Sequence, residues 1–281
     1  MATFFNQATL TYNGTAINSN VTTGELVNAL SVTKTAVIDT YTRDSEVTYV
    51  LSVVNTGDAP IAGVTVTDDL GQYDFNGTAL VPLTYVDGSA TLFINGVLQA
   101  DPAVEAGPPL VIGGLTVPAS GVATLIYVAR VNEFAPLDAG STVVNRAVVT
   151  GSCTDVEATA TITVRSEADL AITKSLTPAT VTCGGRLTYT FVIANTGNEA
   201  VVATDDAVIT DTFDPALSDI AVTFNGTVLT AGVDYTYDET TGEFATLPGR
   251  ITVPAATFTQ NDDGTWTIQP GVSTLTVSGT V

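Results

Sequence analysis

The chain has no histidine and only two cysteines, two lysines, one tryptophan and one methionine in 281 residues. The lack of histidine excludes histidine-based catalytic triads, imidazole general bases and histidine-ligated zinc. No apolar run approaches the roughly 20 residues that a membrane-spanning helix needs. Eight basic residues stand against 29 acidic ones, and the net charge of −21 disfavours nucleic acid and anionic membranes as partners. We expect neither partner, no cofactor and no enzymatic turnover.

What the sequence contains is typical of a folded β-protein. Apolar residues make up 45% of the chain, which excludes disorder. Apolar and polar residues alternate, with many Val, Thr and Tyr, in the runs VTYVLSVVNTG, GVTVTDDLG, GVATLIYVARV and STVVNRAVVTG. Gly, Asn, Asp and Pro separate these runs at turn-like intervals. We therefore predict an all-β fold of two tandem immunoglobulin-like β-sandwiches.

The sequence also repeats itself. The segment that begins at Leu30 aligns with the one that begins at Leu170, and both the lysines and the NTG motifs lie 140 residues apart. The first repeat continues into STVVNRAVVTG, whereas the second ends on the preceding strand at Val281. The N-terminal FFNQATLTYNG matches the missing segment, with Asn6 in the place of Asn145. We predict that the second sandwich lacks its final strand and is completed by an N-terminal donor strand.

The predicted domains are a donor strand with its linker at residues 1–20, a first sandwich at 21–155 and an incomplete second sandwich at 156–281. The donor strand could fold back within its own chain, or it could enter the groove of another copy. We favour the second arrangement, because a head-to-tail contact that does not close generates filaments. The face of the strand that would enter the groove carries Phe4, Asn6, Ala8, Leu10 and Tyr12.

Each sandwich also has three polar residues at core-facing positions. Strand alternation identifies two sets, which are Lys34, Asp68 and Asn145, and Lys174, Asp211 and Asn6. Unpaired buried charges would cost several kcal/mol. Burial lowers the pKa of a lysine and raises that of an aspartic acid, so a neutral amine could attack the asparagine carboxamide while the protonated carboxyl polarises its carbonyl.

This chemistry predicts two self-formed isopeptide bonds with release of ammonia. The first would join Lys34 to Asn145 within the first sandwich, assisted by Asp68. The second would join Lys174 to Asn6 of another subunit, with Asp211 as the helper. The alternative is a buried lysine–aspartate ion pair, hydrogen-bonded to the asparagine, that only fixes the strand register.

The cysteines and the acidic clusters are less informative. Cys153 follows the last strand of the first repeat, and Cys183 lies in the first loop of the second. They could form a disulfide across the domain junction or between subunits, or they could remain free thiols. The clusters at Asp205–Asp206 and Asn261–Gly264 lack the ligand spacing of a calcium loop, so we interpret them as solvated turns and predict no metal site.

Several of these motifs occur together in a known family. They are Asp169-Leu170 near Lys174, the runs TYVLSVVNTG and TYTFVIANTG, the strands VTVTDDL and VITDTF, and the closing Asn145-Arg-Ala-Val-Val. This pattern resembles the repeat of bacterial surface proteins called domain of unknown function eleven, which implies an immunoglobulin-like fold and a surface or adhesive role. The MATFFNQATL start also resembles small two-repeat proteins of spore-forming Clostridia, including endospore appendage subunits. That resemblance implies release from the mother cell and fits the lack of a Sec signal peptide.

Together these features predict a structural subunit of an extracellular fibre, on the spore surface, that polymerises with copies of itself. The competing prediction is a monomeric adhesion or carbohydrate- or protein-binding module with an unknown host or surface ligand. The lone Trp266 and the nine tyrosines suggest no aromatic platform for a sugar. A glycosidase with two carboxylates is a third option, but no sequence feature singles out one acidic pair.

Overall fold

Antiparallel β-structure dominates the computed structural model, which describes residues 2–26 and 28–281. Within these residues the helical content is one 3₁₀ turn at Ala203–Asp205. No helix among them is long and apolar enough to span a membrane. The chain divides into two compact units, the first ending at Thr163 and the second containing Leu137–Ser141 and Val164–Val281. The predicted all-β class and the two tandem immunoglobulin-like sandwiches are confirmed.

The N-terminal segment forms a long hairpin, which we call the arm (residues 2–26). Its strands are β1 (Ala2–Asn6), β2 (Thr9–Tyr12), β3 (Thr15–Asn18) and β4 (Thr22–Leu26). β1 pairs with β4 and β2 pairs with β3. The turn is Asn13-Gly14, with φ angles of 47° and 79°, and such a turn returns the chain along its own first strand. The arm therefore differs from the predicted donor strand and linker, since residues 15–26 pair with that strand.

The first sandwich follows the arm. Its strands are β5 (Leu30–Ala36), β6 (Thr40–Tyr41), β7 (Glu46–Asn55), β8 (Ile61–Asp68), β9 (Tyr73–Phe75), β10 (Thr78–Leu80), β11 (Leu83–Tyr85), β12 (Thr91–Ile94), β13 (Val97–Leu98), β14 (Ala103–Glu105), β15 (Leu110–Val117), β16 (Val122–Val131), β17 (Thr142–Thr150) and β18 (Val156–Val164). One sheet has the order β13-β12-β16-β7-β5, and the other has the order β14-β15-β8-β17-β18-β6.

Alternating apolar side chains from both sheets form the core of this sandwich. On β7, residues at every second position are buried, and β16 shows the same alternation. Tyr49 and Tyr127 are cross-strand partners whose rings stack with centroids 5.5 Å apart. Aromatic pairs of this kind add to the stabilisation that comes from burial alone.

The end of the first sandwich differs from the predicted boundary at residue 155. Strand β18 pairs along its length with β17, from Val149 opposite Val156 to Thr142 opposite Thr163. The alternation of β18 places Ala160 and Ile162 in the core. These residues belong to the first sandwich because burying them there completes its second sheet.

Among the described residues, the second sandwich has the same order of strands but fewer of them. Its strands are β19 (Leu170–Thr177), β20 (Arg186–Asn195), β21 (Thr210–Thr212), β22 (Ser218–Phe224), β23 (Thr227–Val228), β24 (Tyr235–Tyr237), β25 (Glu243–Thr246), β26 (Thr257–Gln260), β27 (Trp266–Gln269) and β28 (Gly271–Thr280). One sheet has the order β19-β20-β28-β22-β23, and the other consists of β21-β25-β24. Strands β26 and β27 form a separate hairpin.

An aromatic cluster fills the core of the second sandwich. Phe213 lies at its centre, with its ring 4.9 Å from that of Tyr189 and 5.9 Å from that of Phe244. Leu275 and Val277 on β28 are fully buried against this cluster. The core is therefore formed even though the smaller sheet ends at β21.

Candidate functional site

The first candidate site lies between the two sheets of the first sandwich. Lys34 is on β5 in one sheet, and Asp68 on β8 and Asn145 on β17 face it from the other. Ala147 pairs with Asp68 across the two neighbouring strands, so Asn145 lies two residues from that pairing. The side chains of all three residues are buried. The structure thus places together the three residues that alternation assigned to the core.

A hydrogen-bonded chain connects these side chains through a tyrosine. Lys34 Nζ donates to Asp68 Oδ2 at 2.6 Å, and the Tyr127 hydroxyl donates a short hydrogen bond to the same oxygen. Asn145 Nδ2 donates to the Tyr127 hydroxyl oxygen at 3.5 Å. Asp68 Oδ1 accepts the backbone N–H of Leu70 at 2.9 Å. Tyr127 therefore bridges the carboxyl of Asp68 and the amide nitrogen of Asn145.

Burial sets the protonation chemistry of the site. Desolvation lowers the pKa of Lys34, although the neighbouring Asp68 carboxylate acts in the opposite direction. Burial also raises the pKa of Tyr127 well above its usual range, so this hydroxyl keeps its proton at any physiological pH. The Lys34 ammonium group also lies 5.0 Å from the centre of the Tyr49 ring. The site thus combines a lysine whose pKa is lowered by burial with a tyrosine hydroxyl that keeps its proton.

The carbonyl oxygen of Asn145 is the unusual atom of this site. Among the described residues, Asn145 Oδ1 is buried without a hydrogen-bond partner. The Tyr49 hydroxyl is also buried without a hydrogen-bond partner. It lies close enough to Asn145 for that side chain to affect the pKa of Tyr49, but the two groups do not have hydrogen-bond geometry. A buried carbonyl without a donor costs about 1–3 kcal/mol. A neighbouring group that gained a proton and donated it to this oxygen would polarise the carbonyl of Asn145.

The second candidate site repeats the charged pair without its asparagine. Lys174 on β19 forms a short ion pair with Asp211 on β21. Its ammonium group lies 4.5 Å from the centre of the Tyr189 ring and 5.2 Å from that of Phe213. The contacts described for Lys174 lie within the second sandwich, and those described for Asn6 lie within the arm.

The two ion pairs differ most in their exposure. The Lys34 side chain is 0% exposed, whereas that of Lys174 is 39% exposed. Leu30 is 4% exposed, and its counterpart Leu170 is 48% exposed. The whole of β19 is exposed along its length. The core-facing side of β19 that alternation predicted is therefore uncovered in the second sandwich.

Two tyrosines of the first site were not predicted as site residues. Alternation along GVATLIYVARV puts Tyr127 on the inner face with Leu125 and Ala129, so the signal was present in the sequence. The repeat places Tyr189 in the position of Tyr49, but it places Val277 in the position of Tyr127. The second site therefore lacks the bridging hydroxyl of the first.

The remaining predicted residues take simpler roles. Cys153 and Cys183 are both free and exposed. Asp205 Oδ2 accepts the backbone N–H of Val202, and Asp263 Oδ1 accepts that of Thr265, as expected for carboxylates that stabilise turns. In the part of the chain that the structure describes, no group of three or more acidic or cysteine side chains is arranged to hold a metal ion.

No family model matches the chain, and no curated protein matches it. Solved structures do resemble it. A form of BcpA, the major pilin subunit of Bacillus cereus, is 14% identical, with a TM-score of 0.39, over 95% of this chain and 72% of the pilin. The RrgB pilus backbone of Streptococcus pneumoniae is 9% identical, with a TM-score of 0.35, over 86% of this chain and 55% of its own.

A third similar structure matches half of this chain. The collagen-binding subdomain of the Enterococcus faecalis surface protein ACE is 10% identical, with a TM-score of 0.33, over 50% of this chain and 99% of its own. At these identities the likeness concerns the fold alone.

Proposed function

We propose that this protein is a structural subunit of an extracellular fibre, in which the arm of one copy completes the second sandwich of the next. One observation carries the proposal. Strand β8 pairs with β15 on one edge and with the asparagine strand β17 on the other, whereas β21, its counterpart, pairs with β25 alone among the described residues. Its Lys174–Asp211 pair is in place but lacks an asparagine. The arm carries that asparagine on a matching sequence.

The first sandwich predicts the register of the docked arm. Because Ala147 lies opposite Asp68, we expect Ala8 of the arriving copy to lie opposite Asp211. This register puts Asn6 where Asn145 lies in the first site, two residues from the paired position. The predicted donor face therefore points at the core of the second sandwich.

Apolar surface on both sides favours this association. The arm exposes Phe4, Leu10 and Tyr12 on one face, and β19 exposes Leu170 and Ile172. Covering side chains that are about half exposed contributes roughly 1 kcal/mol each. The free edge of β21 gains backbone hydrogen bonds in the same step. Because the arm and the groove are different surfaces, each added copy offers a new groove, and the chain of copies grows.

The proposed covalent step in the first sandwich replaces the amide nitrogen of Asn145 with the amine nitrogen of Lys34. The neutral amine of Lys34 forms a bond from Nζ to Cγ of Asn145, and the bond from Cγ to Nδ2 breaks. Nζ loses one proton and Nδ2 gains one, so the amide nitrogen of Asn145 leaves as ammonia. Asp68 and Tyr127 are hydrogen-bonded to each other and to these two nitrogens, so they provide the path for that proton.

The second bond, between Lys174 and Asn6 of the next copy, makes the fibre covalent in this proposal. Asp211 takes the role of Asp68, but Val277 replaces the tyrosine that bridges the first site. We therefore expect the intersubunit bond to form more slowly than the bond inside the first sandwich. The location on a spore surface rests on the sequence resemblance and belongs to the same proposal.

The test is a denaturing gel of the assembled protein after boiling with detergent and reductant. We expect a ladder in multiples of 28.8 kDa that collapses to monomer in Lys174→Ala and in Asn6→Ala. Asn20→Ala is the matched control, because Asn20 is another exposed asparagine of the arm, and it should keep the ladder. A wild type that runs only as monomer would refute the covalent bond.

Electron microscopy of unboiled protein tests the fibre itself. Fibres in Lys174→Ala, where the covalent bond cannot form, would show that strand exchange alone supports assembly. A wild type that remains a monomer in solution would overturn the fibre proposal. In that case the monomeric binding module becomes the better explanation.

A further inference from the structure

We infer that the donor is the whole arm hairpin rather than one strand, so that each second sandwich receives two strands from its neighbour. This inference rests on the proposed head-to-tail assembly and specifies the surface that the neighbour fills. It concerns the strands β3 and β4, which the sequence assigned in part to a linker.

The first sandwich shows how many strands lie beyond β8, on the edge that corresponds to the free edge of β21. Beyond β8 its sheet continues with β17, then β18, and then the short strand β6. Strands β17 and β18 form an antiparallel hairpin. Thr163 on β18 donates its backbone N–H to the carbonyl of Asp39 beside β6 at 2.7 Å. Two strands therefore separate β8 from the segment that contains Tyr41.

The second sandwich lacks both of these strands in its described residues. The counterparts of Thr40 and Tyr41, 140 residues on, are Thr180 and Val181, which are in no strand. Tyr41 is 1% exposed, whereas Val181 is 39% exposed. At about 4.8 Å between neighbouring strands, a gap of two strands spans roughly 10 Å, which one strand cannot close. A single donor strand would leave the segment at residues 180–181 unpaired.

The arm has the pairing that this gap requires. With Asn6 in the place of Asn145, the arm pairs Asn6 with Thr22 as the first sandwich pairs Asn145 with Ala160. In the same frame Glu25, which pairs with Thr3, takes the place of Thr163. A strand forms ladders through both of its edges, so β1 and β2 can pair with β21 while they keep β3 and β4. The arm needs no unzipping before it docks.

The two faces of the arm also suit an inserted hairpin. Cross-strand partners share a face, so Leu10 and Ile17 lie together, as do Phe4 and Gly24. A Cβ atom at Gly24 would lie 2.3 Å from the Phe4 ring, so the ring lies across this glycine. The opposite face is mostly polar: it carries Phe5 and Ala16 together with Thr3, Thr9, Thr11, Asn18, Thr23 and Glu25. One face fits an apolar core, and the other fits water.

An engineered disulfide tests the position of the second strand. The variant combines Glu25→Cys and Ala179→Cys with Cys153→Ser, Cys183→Ser and Lys174→Ala, so that no isopeptide bond joins the subunits. Ala179 corresponds to Asp39, so the two new cysteines take the places of a hydrogen-bonded pair in the first sandwich. We expect oxidised fibres to give a ladder on a non-reducing gel that disappears with reductant. In the control, Thr11→Cys replaces Glu25→Cys, and no ladder should form.

Hydrogen exchange on wild-type protein provides a second readout that needs no substitution. We expect the backbone amide of Val181 to become protected when fibres form, because Asp39 faces β18 in the first sandwich and alternation makes Tyr41, the counterpart of Val181, face it too. Fibres without the disulfide ladder, in which this amide still exchanges freely, would overturn the hairpin and leave a single donor strand. The absence of fibres in every preparation would overturn the assembly proposal and the hairpin together.

Discussion

Replacing Asn145 with alanine removes the acceptor of the proposed first isopeptide bond while it leaves the Lys34–Asp68 ion pair in place. The bond closes a loop of about 110 residues, and a crosslink of that span stabilises a fold by about 5 kcal/mol in the chain-entropy model. For a sandwich of this size, that loss lowers the melting temperature by about 15 °C. Without a crosslink, the substitution removes one long hydrogen bond to Tyr127, which contributes about 1 kcal/mol, and lowers the melting temperature by about 3 °C.

Intact mass and calorimetry together measure this difference. In an Asn6→Ala background, where the first sandwich alone can react, bond formation should lower the mass by one ammonia, about 17 Da. Adding Asn145→Ala should abolish that loss. The control is Asn55→Ala, which removes hydrogen bonds from another buried asparagine to Ala59 and Pro118 but leaves the reacting groups intact. It should destabilise the fold and keep the mass loss.

A background protein with its full sequence mass would refute the crosslink. The lysine–aspartate pair would then only fix the register of the strands, and the smaller change in melting temperature should be observed. A full mass loss combined with a small change in melting temperature would instead refute the loop-entropy estimate.

Four further outcomes follow from the structure. Tyr127→Phe should slow the mass loss by about 100-fold, because it removes the hydroxyl that bridges Asp68 and the leaving nitrogen. In that slow variant the rate of mass loss should rise with pH, because the deprotonated amine of Lys34 attacks. The rate should level off below the ordinary lysine pKa of 10.5, because burial lowers the pKa of Lys34. A flat pH profile would contradict this mechanism. Gly14→Ala should slow fibre growth, measured by light scattering, because alanine at a φ of 79° costs about 1 kcal/mol in the turn of the arm. Arg146→Ala should change the melting temperature of the first sandwich by less than about 3 °C, because its ion pair with Glu157 is exposed, and a larger loss would contradict this view of the surface.

Much of the fold and the first site could be predicted because the signals are local or periodic. Alternation with a period of two identified the inner faces of β5, β8 and β17, and the structure buries Lys34, Asp68 and Asn145 there. The Asn13-Gly14 turn was also a local signal, and its hairpin could have been predicted from it. Alternation along β16 also puts Tyr127 on the inner face, so this residue could have been predicted from the sequence.

Other features depend on contacts between distant residues. Alternation shows which side chains of a strand share a face, but it does not show which strand lies beside it. The predicted boundary at residue 155 therefore lies too early in the chain, because only the pairing of β18 with β17 assigns residues 156–163 to the first sandwich. For the same reason, a linear alignment could not show that the described residues of the second sandwich lack the counterparts of both β17 and β18.

The sequence by itself determined the all-β class, the period of the repeat and the paired positions of the two lysines, since strand alternation and self-similarity are properties of the chain. The tertiary structure decided that Lys34 is enclosed and Lys174 is open, although both occupy the same place in the repeat. The physical reason is that burial depends on the neighbouring strands, and β17 and β18 cover the first site, whereas the described residues provide no such cover for the second.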